Sequence, residues 1–186
     1  MSMAFEQPLY HGTIEAIPQI DVARGRLHKD FGRGFYMSLS PEQAISMMHK
    51  KLREAVRRSR NARQCSFIEH LYRIQLKPSS ELELKVKIFE SADLEWLEFI
   101  LMCRESTLPH PHEFDVVIGP TADDDTLVSL QNYWKGVYGP IGSTTAKMAL
   151  LSVLEPENLG TQCCLCSRKS ESSVMAFVPV DWRIFV

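Results

Sequence analysis

Residues 30–43 read Asp-Phe-Gly-Arg-Gly-Phe-Tyr-Met-Ser-Leu-Ser-Pro-Glu-Gln, and this stretch decides the fold. The glycines at 32 and 34 permit a tight turn, and the β-favouring residues 35–37 predict a short strand behind it. Residues Ser40 to Gln43 have the form of a capping box with proline at the first helical position. The stretch therefore predicts a turn, a strand and a capped helix in direct succession.

Further strands and helices are predicted on both sides of this stretch. The predicted strands cover residues 8–13, 31–39, 67–76, 84–89, 114–118, 162–167 and 174–180. The predicted helices begin at Ser40 and at Ser91 or Asp93, and two more cover residues 127–138 and 143–154. Because the two types mix without a regular βαβ alternation, we expect an α+β fold. Neither a repeat nor a linker divides the chain, so we expect residues 1–186 to form a single domain.

Composition excludes several classes of protein. The chain has 186 residues, of which 45% are hydrophobic and 24% charged, which is typical of a globular domain. No apolar run approaches the roughly 20 residues that span a bilayer, and the N-terminus has no signal-peptide pattern. The odd number of cysteines, five, favours reduced thiols. We therefore expect no membrane association, and a cytoplasmic location or delivery to a target-cell cytosol without a classical signal peptide.

Cysteines and histidines give only a weak metal pattern. Cys163 and Cys166 form a C-x-x-C pair, but a structural zinc site needs four ligands and no second pair has matching spacing. If this segment is a strand, alternation sends the two thiols to opposite faces. His110 and His112 lie in a proline-rich loop. We expect free thiols and no metal.

Two short motifs resemble a known family. Leu9-Tyr10-His11-Gly12-Thr13 and the segment Asp30 to Ser38 resemble the signature strands of ADP-ribosyltransferases of the histidine-tyrosine-glutamate type, to which diphtheria-like toxins and poly(ADP-ribose) polymerases belong. Residues 115–120, Asp-Val-Val-Ile-Gly-Pro, resemble an uncharacterised bacterial family of short, toxin-like proteins with that fold. The resemblance covers residues 8–180 and implies a split antiparallel sheet with helices around an NAD-binding cleft.

The resemblance also implies which residues act. His11, Tyr36 and Gln162 would be catalytic, and Gln162 stands where the class has a glutamate. Without a negative charge, Gln162 is expected to stabilise the oxocarbenium-like transition state less well. Further candidates are Asp30, Asp115, Asp124 and Glu171; for the three aspartates, the alternative is that each is the partner of a basic residue. The residues expected to bind NAD, which is the substrate, are His11, Gly12, Thr13, Gly34, Phe35, Tyr36 and Ser38.

The expected geometry follows from strand alternation. His11 and Thr13 share one face of their strand, as do Tyr36 and Ser38 of theirs, and we expect all four side chains to line one cleft. Tyr36 would stack on the nicotinamide, while His11 and Thr13 would bind ribose and carboxamide. Gly12 would allow the backbone to approach the nicotinamide closely.

The function expected from the resemblance is mono-ADP-ribosyl transfer from NAD to a macromolecule, a protein or nucleic acid, by a toxin or effector. One alternative is an inactive module that binds NAD, ADP-ribose or a partner protein. Another is an interaction protein with a cognate antitoxin or host partner.

Basic residues are concentrated in one part of the chain. Residues 24–63 hold 11 of the 21 Lys and Arg, although the net charge is -2. We expect the basic residues that follow Ser40 to lie too far from the NAD phosphates to bind them, and to dock an acidic acceptor instead; a solvated helix face is the alternative. These residues are Lys50, Lys51, Arg53, Arg57, Arg58, Arg60 and Arg63.

Overall fold

The described strands all belong to one sheet. The computed structural model describes residues 5–59, 67–78, 81–122, 124–154 and 160–186, except for the side chains of residues 124–127. The strands are β1 (Leu9–Thr13), β2 (Phe35–Ser38), β3 (His70–Leu76), β4 (Val86–Ile88), β5 (Val116–Pro120), β6 (Thr161–Leu165) and β7 (Val174–Val180). The helices are α1 (Pro41–Arg58), α2 (Leu94–Glu105), α3 (Asp124–Trp134), α4 (Thr144–Val153) and α5 (Arg168–Glu171). Two 3-10 turns, Val22–Arg24 and Trp182–Phe185, complete the described elements.

The strand order is β4-β5-β6-β2-β1-β3-β7. Only β4 and β5 pair in parallel, and every other neighbouring pair is antiparallel. The predicted α+β class is therefore confirmed. Several bounds differ from the sequence prediction: β2 begins at Phe35 rather than at residue 31, β4 has three residues rather than six, β5 covers Val116–Pro120 rather than 114–118, and α3 covers Asp124–Trp134 rather than 127–138. The short helix α5 and the 3-10 turns were not foreseen. Residues 60–66, with Arg60 and Arg63, lie outside the described residues.

Apolar side chains form clusters on both faces of the sheet. One cluster lies between the sheet and helices α2, α3 and α4, and it is built around Trp96 and Leu150. A second cluster, around Leu9, Phe35 and Ile74, covers the opposite face. A third joins β1 and β3 to helix α1 through Met48. Burial of these side chains stabilises the sheet on both sides.

Helix α1 begins as its sequence predicts, with one change. Ser40 Oγ accepts a hydrogen bond from the Gln43 backbone N–H at 3.1 Å, which satisfies one end of the helix. The Gln43 side chain does not return to the Ser40 backbone, as a capping box requires. Its Oε1 accepts from Ser38 Oγ at 2.5 Å, and its Nε2 donates to Thr121 Oγ1 at 2.9 Å. Gln43 thus connects α1 to the ends of β2 and β5.

The sheet opens between β1 and β2. All five residues of β1 pair with β3, whereas β1 and β2 pair only at Tyr10 and Ser38. On its other side, β2 pairs along its whole length with β6. The two motif strands are therefore neighbours that part after one residue pair. We call Tyr10–Thr13 together with Phe35–Ser38 the β1–β2 junction.

Candidate functional site

The register of the junction decides which side chains share a face. Paired residues of neighbouring strands lie on the same face, so the Tyr10–Ser38 pair places Gly12 with Tyr36 and Ser38. His11 and Thr13 lie on the opposite face, with Phe35. The expectation that His11, Thr13, Tyr36 and Ser38 line one cleft is therefore wrong. Alternation correctly predicts which side chains share a face within each strand. It does not give the register between β1 and β2, which are more than 20 residues apart, and that register was assumed.

His11 links the two strands where their backbones part. Its Nδ1 lies 2.6 Å from the carbonyl oxygen of Tyr36, and its ring stacks on Phe35 with 4.5 Å between the centroids. Burial, with the positive charge of Lys51, lowers the pKa of His11 to about 4. The ring is therefore neutral near pH 7. Because a carbonyl only accepts, Nδ1 carries the proton and Nε2 is left as an acceptor.

Tyr36 is held by the loop that precedes β2. Its hydroxyl donates to the Gly32 carbonyl at 2.7 Å and accepts from the Phe31 N–H at 2.9 Å. Burial raises the pKa of the hydroxyl well above its usual value. The ring packs against the cluster around Trp96, and its centroid is 6.3 Å from that of Phe31. Both hydrogen bonds fix the orientation of the ring, so the hydroxyl is used for structure.

The motif glycines are explained by packing. A Cβ at Gly12 would lie 2.0 Å from the carbonyl oxygen of Ala44 in α1, and one at Gly34 would lie 2.4 Å from Cys164 Sγ in β6. No side chain fits at either position unless the backbone moves. The role expected for Gly12, close approach to a nicotinamide, is not needed to explain this glycine. The structure shows instead that it allows α1 to lie against β1.

Gln162 belongs to a buried polar cluster with Asp30. The Nε2 of Gln162 donates to Asp30 Oδ2 at 2.8 Å and to the Pro120 carbonyl at 3.3 Å. Asp30 also forms an ion pair with Arg104, in which Nε lies 2.9 Å from Oδ1, and accepts from the Ala122 N–H at 3.1 Å. Among the described residues, no hydrogen bond uses Oε1 of Gln162. The amide oxygen is therefore the atom of Gln162 that can accept from a ligand.

The hydroxyls of Ser38 and Thr13 in the junction already have partners. Ser38 donates to Gln43 and also accepts from the Ser40 N–H at 3.0 Å. Thr13 accepts from the Glu15 N–H at 3.3 Å, in the turn after β1. Ser38 lies on the same face as Gln162, its pairing partner on β6. Of the residues predicted to act, the structure brings together Gly12, Tyr36, Ser38, Gln162 and Asp30.

Two acidic candidates lie away from this group. Asp115 accepts from the Lys85 N–H at 2.9 Å and from Ser167 Oγ at 2.6 Å, so it ties β4 to the end of β6. Glu171 accepts from the Val22 N–H at 2.8 Å and holds the first 3-10 turn. Gln162 lies near the start of β6, whereas Asp115 and Glu171 lie beyond its end. Neither of them can therefore replace Gln162. The side chain of Asp124 lies outside the described part of the structure.

One basic side chain, that of Lys51, contacts the junction. Lys51 Nζ donates to the Gly12 carbonyl at 2.9 Å, so this residue points inward from α1. Burial, with the neighbouring charges of Lys29 and Arg26, lowers the pKa of Lys51 to about 8. Sequence analysis did not identify Arg26 and Lys29 as residues that influence Lys51, because both lie outside every motif. Lys51 thus contacts β1 itself, and its expected docking of an acidic acceptor stays a prediction.

A buried thiol group lies on the same face, beyond Tyr36. Cys166 is 2% exposed, and hydrogen bonding with Cys164, together with His112, lowers its pKa. Burial opposes protonation of His112, but the bond to Cys166 raises the pKa of its imidazole overall. Cys163 belongs to the opposite apolar cluster, which confirms that the C-x-x-C thiols lie on opposite faces. Within the described ranges, no group of three or more ligating side chains is placed to hold a metal.

A family model described as "Protein of unknown function (DUF3990)" matches residues 8–177. The chain belongs to this family. No curated protein and no solved structure matches it. In the part of the chain that the structure describes, no helix is long and apolar enough to cross a membrane.

Proposed function

We propose that this DUF3990 chain binds NAD at the β1–β2 junction and transfers ADP-ribose to a protein or nucleic acid. The observation that supports the proposal is the parting of β1 and β2 after one residue pair. The two strands are those whose sequences resemble the ADP-ribosyltransferase motifs, and that resemblance implies a sheet split at this place. The split leaves the backbone at Gly12, the ring of Tyr36 and the amide of Gln162 on one face.

In this proposal Gln162 holds the reacting ribose. Its nitrogen is anchored on Asp30 and Pro120, so the amide oxygen keeps a fixed orientation. An oriented oxygen can accept from a ribose hydroxyl and place the sugar for attack by the acceptor. His11 contributes from the other face through the carbonyl of Tyr36, whose position it fixes.

A second candidate is binding without catalysis, and the surroundings of Gln162 favour it. The negative charge nearest to Gln162 is that of Asp30, which Arg104 neutralises. An oxocarbenium-like transition state gains most from an uncompensated carboxylate. A protein with this arrangement would recognise NAD or ADP-ribose and turn NAD over slowly or not at all.

Nicotinamide release from NAD separates these candidates. We expect Gln162→Ala to slow release about 10- to 1000-fold, the range for loss of one preorganised hydrogen-bonding group. The affinity for NAD, measured by calorimetry, should change less than about threefold, because the interaction strengthens in the transition state. The matched control is Gln131→Ala, since Gln131 is an exposed glutamine on α3.

The outcomes distinguish the two candidates. Tight NAD binding without release in the wild type supports the binding module and contradicts the transferase. Release that is equally fast in Gln162→Ala and Gln131→Ala contradicts the role of Gln162. Absence of NAD binding in the folded wild type, checked by circular dichroism, contradicts both proposals.

A further inference from the structure

A directional chain of hydrogen bonds runs from the start of α1 to Thr121, the residue that follows β5. The Ser40 N–H donates to Ser38 Oγ at 3.0 Å, and the Ser38 hydroxyl in turn donates to Gln43 Oε1 at 2.5 Å. With its oxygen occupied in this way, the Gln43 amide donates from Nε2 to Thr121 Oγ1 at 2.9 Å. A hydroxyl that accepts a hydrogen bond keeps its own hydrogen for another partner. Thr121 is therefore an available donor, since no described residue accepts its hydrogen.

The backbone around Thr121 is fixed on both sides. The Thr121 N–H donates to the Gly160 carbonyl at 2.7 Å, which continues the pairing of β5 with β6 by one residue. The next N–H, that of Ala122, donates to Asp30 Oδ2 at 3.1 Å. The Thr121 residue is half-buried. Because its backbone and its oxygen are both held, the hydroxyl is oriented before any ligand arrives.

Thr121 lies on the same face of the sheet as Gln162. Gln162 pairs with Gly119 on β5, and Thr121 follows Gly119 by two residues. Positions two apart along a strand share a face, so Thr121 and Gln162 are diagonal neighbours with Cα atoms roughly 7–8 Å apart. Gly119 has no side chain to stand between them. A single small ligand can therefore contact both side chains.

The two side chains offer opposite hydrogen-bonding groups. Nε2 of Gln162 is fixed on Asp30 Oδ2 and on the Pro120 carbonyl, which leaves Oε1 as an acceptor. Thr121 supplies a donor on the same face. Neither group is charged, and the carboxylate that contacts Gln162, that of Asp30, is paired with Arg104. A neutral donor beside a neutral acceptor suits two neighbouring hydroxyls, because each hydroxyl both donates and accepts.

We propose that Thr121 and Gln162 together hold the cis-diol of a ribose, and that Gln43 is the positioning residue that makes Thr121 a donor. The inference rests on the proposed function, in which Gln162 binds the reacting ribose of NAD, and it assigns a second hydroxyl of that ribose to Thr121. Thr121 Oγ1 donates to one oxygen of the diol, while Gln162 Oε1 accepts from the other hydroxyl. Held at both oxygens, the sugar has one orientation towards the attacking acceptor.

Binding of ADP-ribose and two deoxy analogues tests the assignment without turnover. ADP-ribose contains the same ribose without nicotinamide, and the analogues lack either the 2-hydroxyl or the 3-hydroxyl of that ribose. In calorimetry with the full chain, we expect the wild type to prefer ADP-ribose over each analogue about 3- to 10-fold, as for one neutral hydrogen bond. Thr121→Val should lower the preference over one analogue to less than about twofold and keep the other, and Gln162→Ala should do the reverse. Thr121→Ser should keep both preferences, because it keeps the hydroxyl.

Thr161→Val is the matched control for Thr121→Val. Thr161 is an exposed threonine of β6 directly before Gln162, and alternation places its side chain on the other face of the sheet. It loses the same hydroxyl for the same methyl group, and it should keep both preferences.

Gln43→Glu separates the positioning role of Gln43 from simple packing. A carboxylate still accepts from Ser38, but it has no hydrogen to donate, so it accepts from Thr121 and takes that donor away from the ligand. We expect its preferences to match those of Thr121→Val. Its thermal unfolding should stay within a few degrees of wild type, since an acidic residue is favourable in the first turn of α1. The added charge cancels in these preferences, because all three probes carry the same diphosphate.

Failure of the diol site and failure of the proposed function give different results. If NAD is not cleaved but Thr121→Val loses one preference, the diol site stands and the transferase fails. If NAD is cleaved and Thr121→Val keeps both preferences, the diol site is overturned while the transferase stands. The site is also overturned if the folded wild type does not bind ADP-ribose or does not distinguish it from the analogues. Unchanged preferences in Gln43→Glu overturn the positioning role of Gln43.

Discussion

Lys29 and Asp30 are neighbours in sequence, yet they belong to two charged groups that are built in opposite ways. Asp30 is 5% exposed and bonds Arg104, Gln162 and the Ala122 N–H. Lys29 is in no ion pair in the described part of the chain, and its charge helps to lower the pKa of Lys51. Asp30 is neutralised by an ion pair within the protein, whereas Lys29 and Lys51 form no ion pair among the described residues.

This difference distinguishes charged side chains that stabilise the fold from charged side chains that a ligand could neutralise. A buried ion pair with further hydrogen bonds holds segments together, and losing one member leaves the other uncompensated. Like charges that lie close together instead lower the stability of the folded state. Because the folded pKa of Lys51 is about 8 and its usual value is 10.5, protonation of Lys51 disfavours folding near neutral pH. Loss of Asp30 should therefore lower the stability of the fold, whereas loss of the Lys51 charge should not.

The largest expected effect is the loss of Asp30. Asp30→Ala leaves Arg104, which is 12% exposed, without a counter-charge and removes acceptors from Gln162 and Ala122. We expect a loss of about 3–5 kcal/mol in the free energy of unfolding, measured by urea denaturation. Glu98→Gln is the matched control, because it breaks an exposed pair with Lys147 and should cost about 1 kcal/mol or less.

The double variant Asp30→Leu with Arg104→Met tests whether the uncompensated charge of Arg104 causes the loss of stability. It removes both charges, so it should recover part of the stability lost in Asp30→Ala. A loss below about 1 kcal/mol in Asp30→Ala would contradict a structural role for the Asp30–Arg104 pair. Asp30 and Lys29 would then not differ in their importance for stability.

A smaller effect is expected when glutamate is placed at position 162. Gln162→Glu replaces an amide donor by a carboxylate next to Asp30 Oδ2, 2.8 Å from the present nitrogen. Two carboxylates at this distance repel, so we expect the variant to lose about 1–3 kcal/mol near pH 7. The loss should shrink as pH falls, because protonation of either carboxyl restores a donor. The control is Gln131→Glu on the exposed face of α3, and equal stability of the two variants would contradict the assignment.

This prediction also explains why the chain departs from the glutamate of the motif it resembles. The neighbourhood of residue 162 contains an aspartate that needs a donor, and glutamine supplies one. Sequence analysis identified Gln162 as the third motif residue and noted its missing charge. It could not predict the bond to Asp30, because the two residues are 132 positions apart.

The difference between local signals and long-range contacts also separates the other correct predictions from the wrong ones. The helix at Ser40 and the strands on both sides were predictable, because caps and alternation are local signals. The face of His11 was not, since it depends on the register between β1 and β2. Asp115 and Glu171 were candidates through the family resemblance, and the long-range bonds to Lys85, Ser167 and Val22 show their structural use.

The smallest effect concerns the charge that Lys51 places beside His11. The folded pKa of His11 is about 4 and its ordinary value is 6.5, so the unfolded chain binds more protons between these pH values. The stability that neutral His11 contributes is therefore complete above pH 6.5 and is lost as pH falls towards 4. Burial is the main cause, and the Lys51 charge adds to it. Lys51→Met should raise the pKa of His11 by roughly half a pH unit, or about 0.7 kcal/mol, measured by NMR titration of the imidazole. Arg53→Met should leave that pKa unchanged, since Arg53 is exposed on the same helix. An unchanged His11 pKa in Lys51→Met would place the ammonium group farther from the junction than its bond to Gly12 requires.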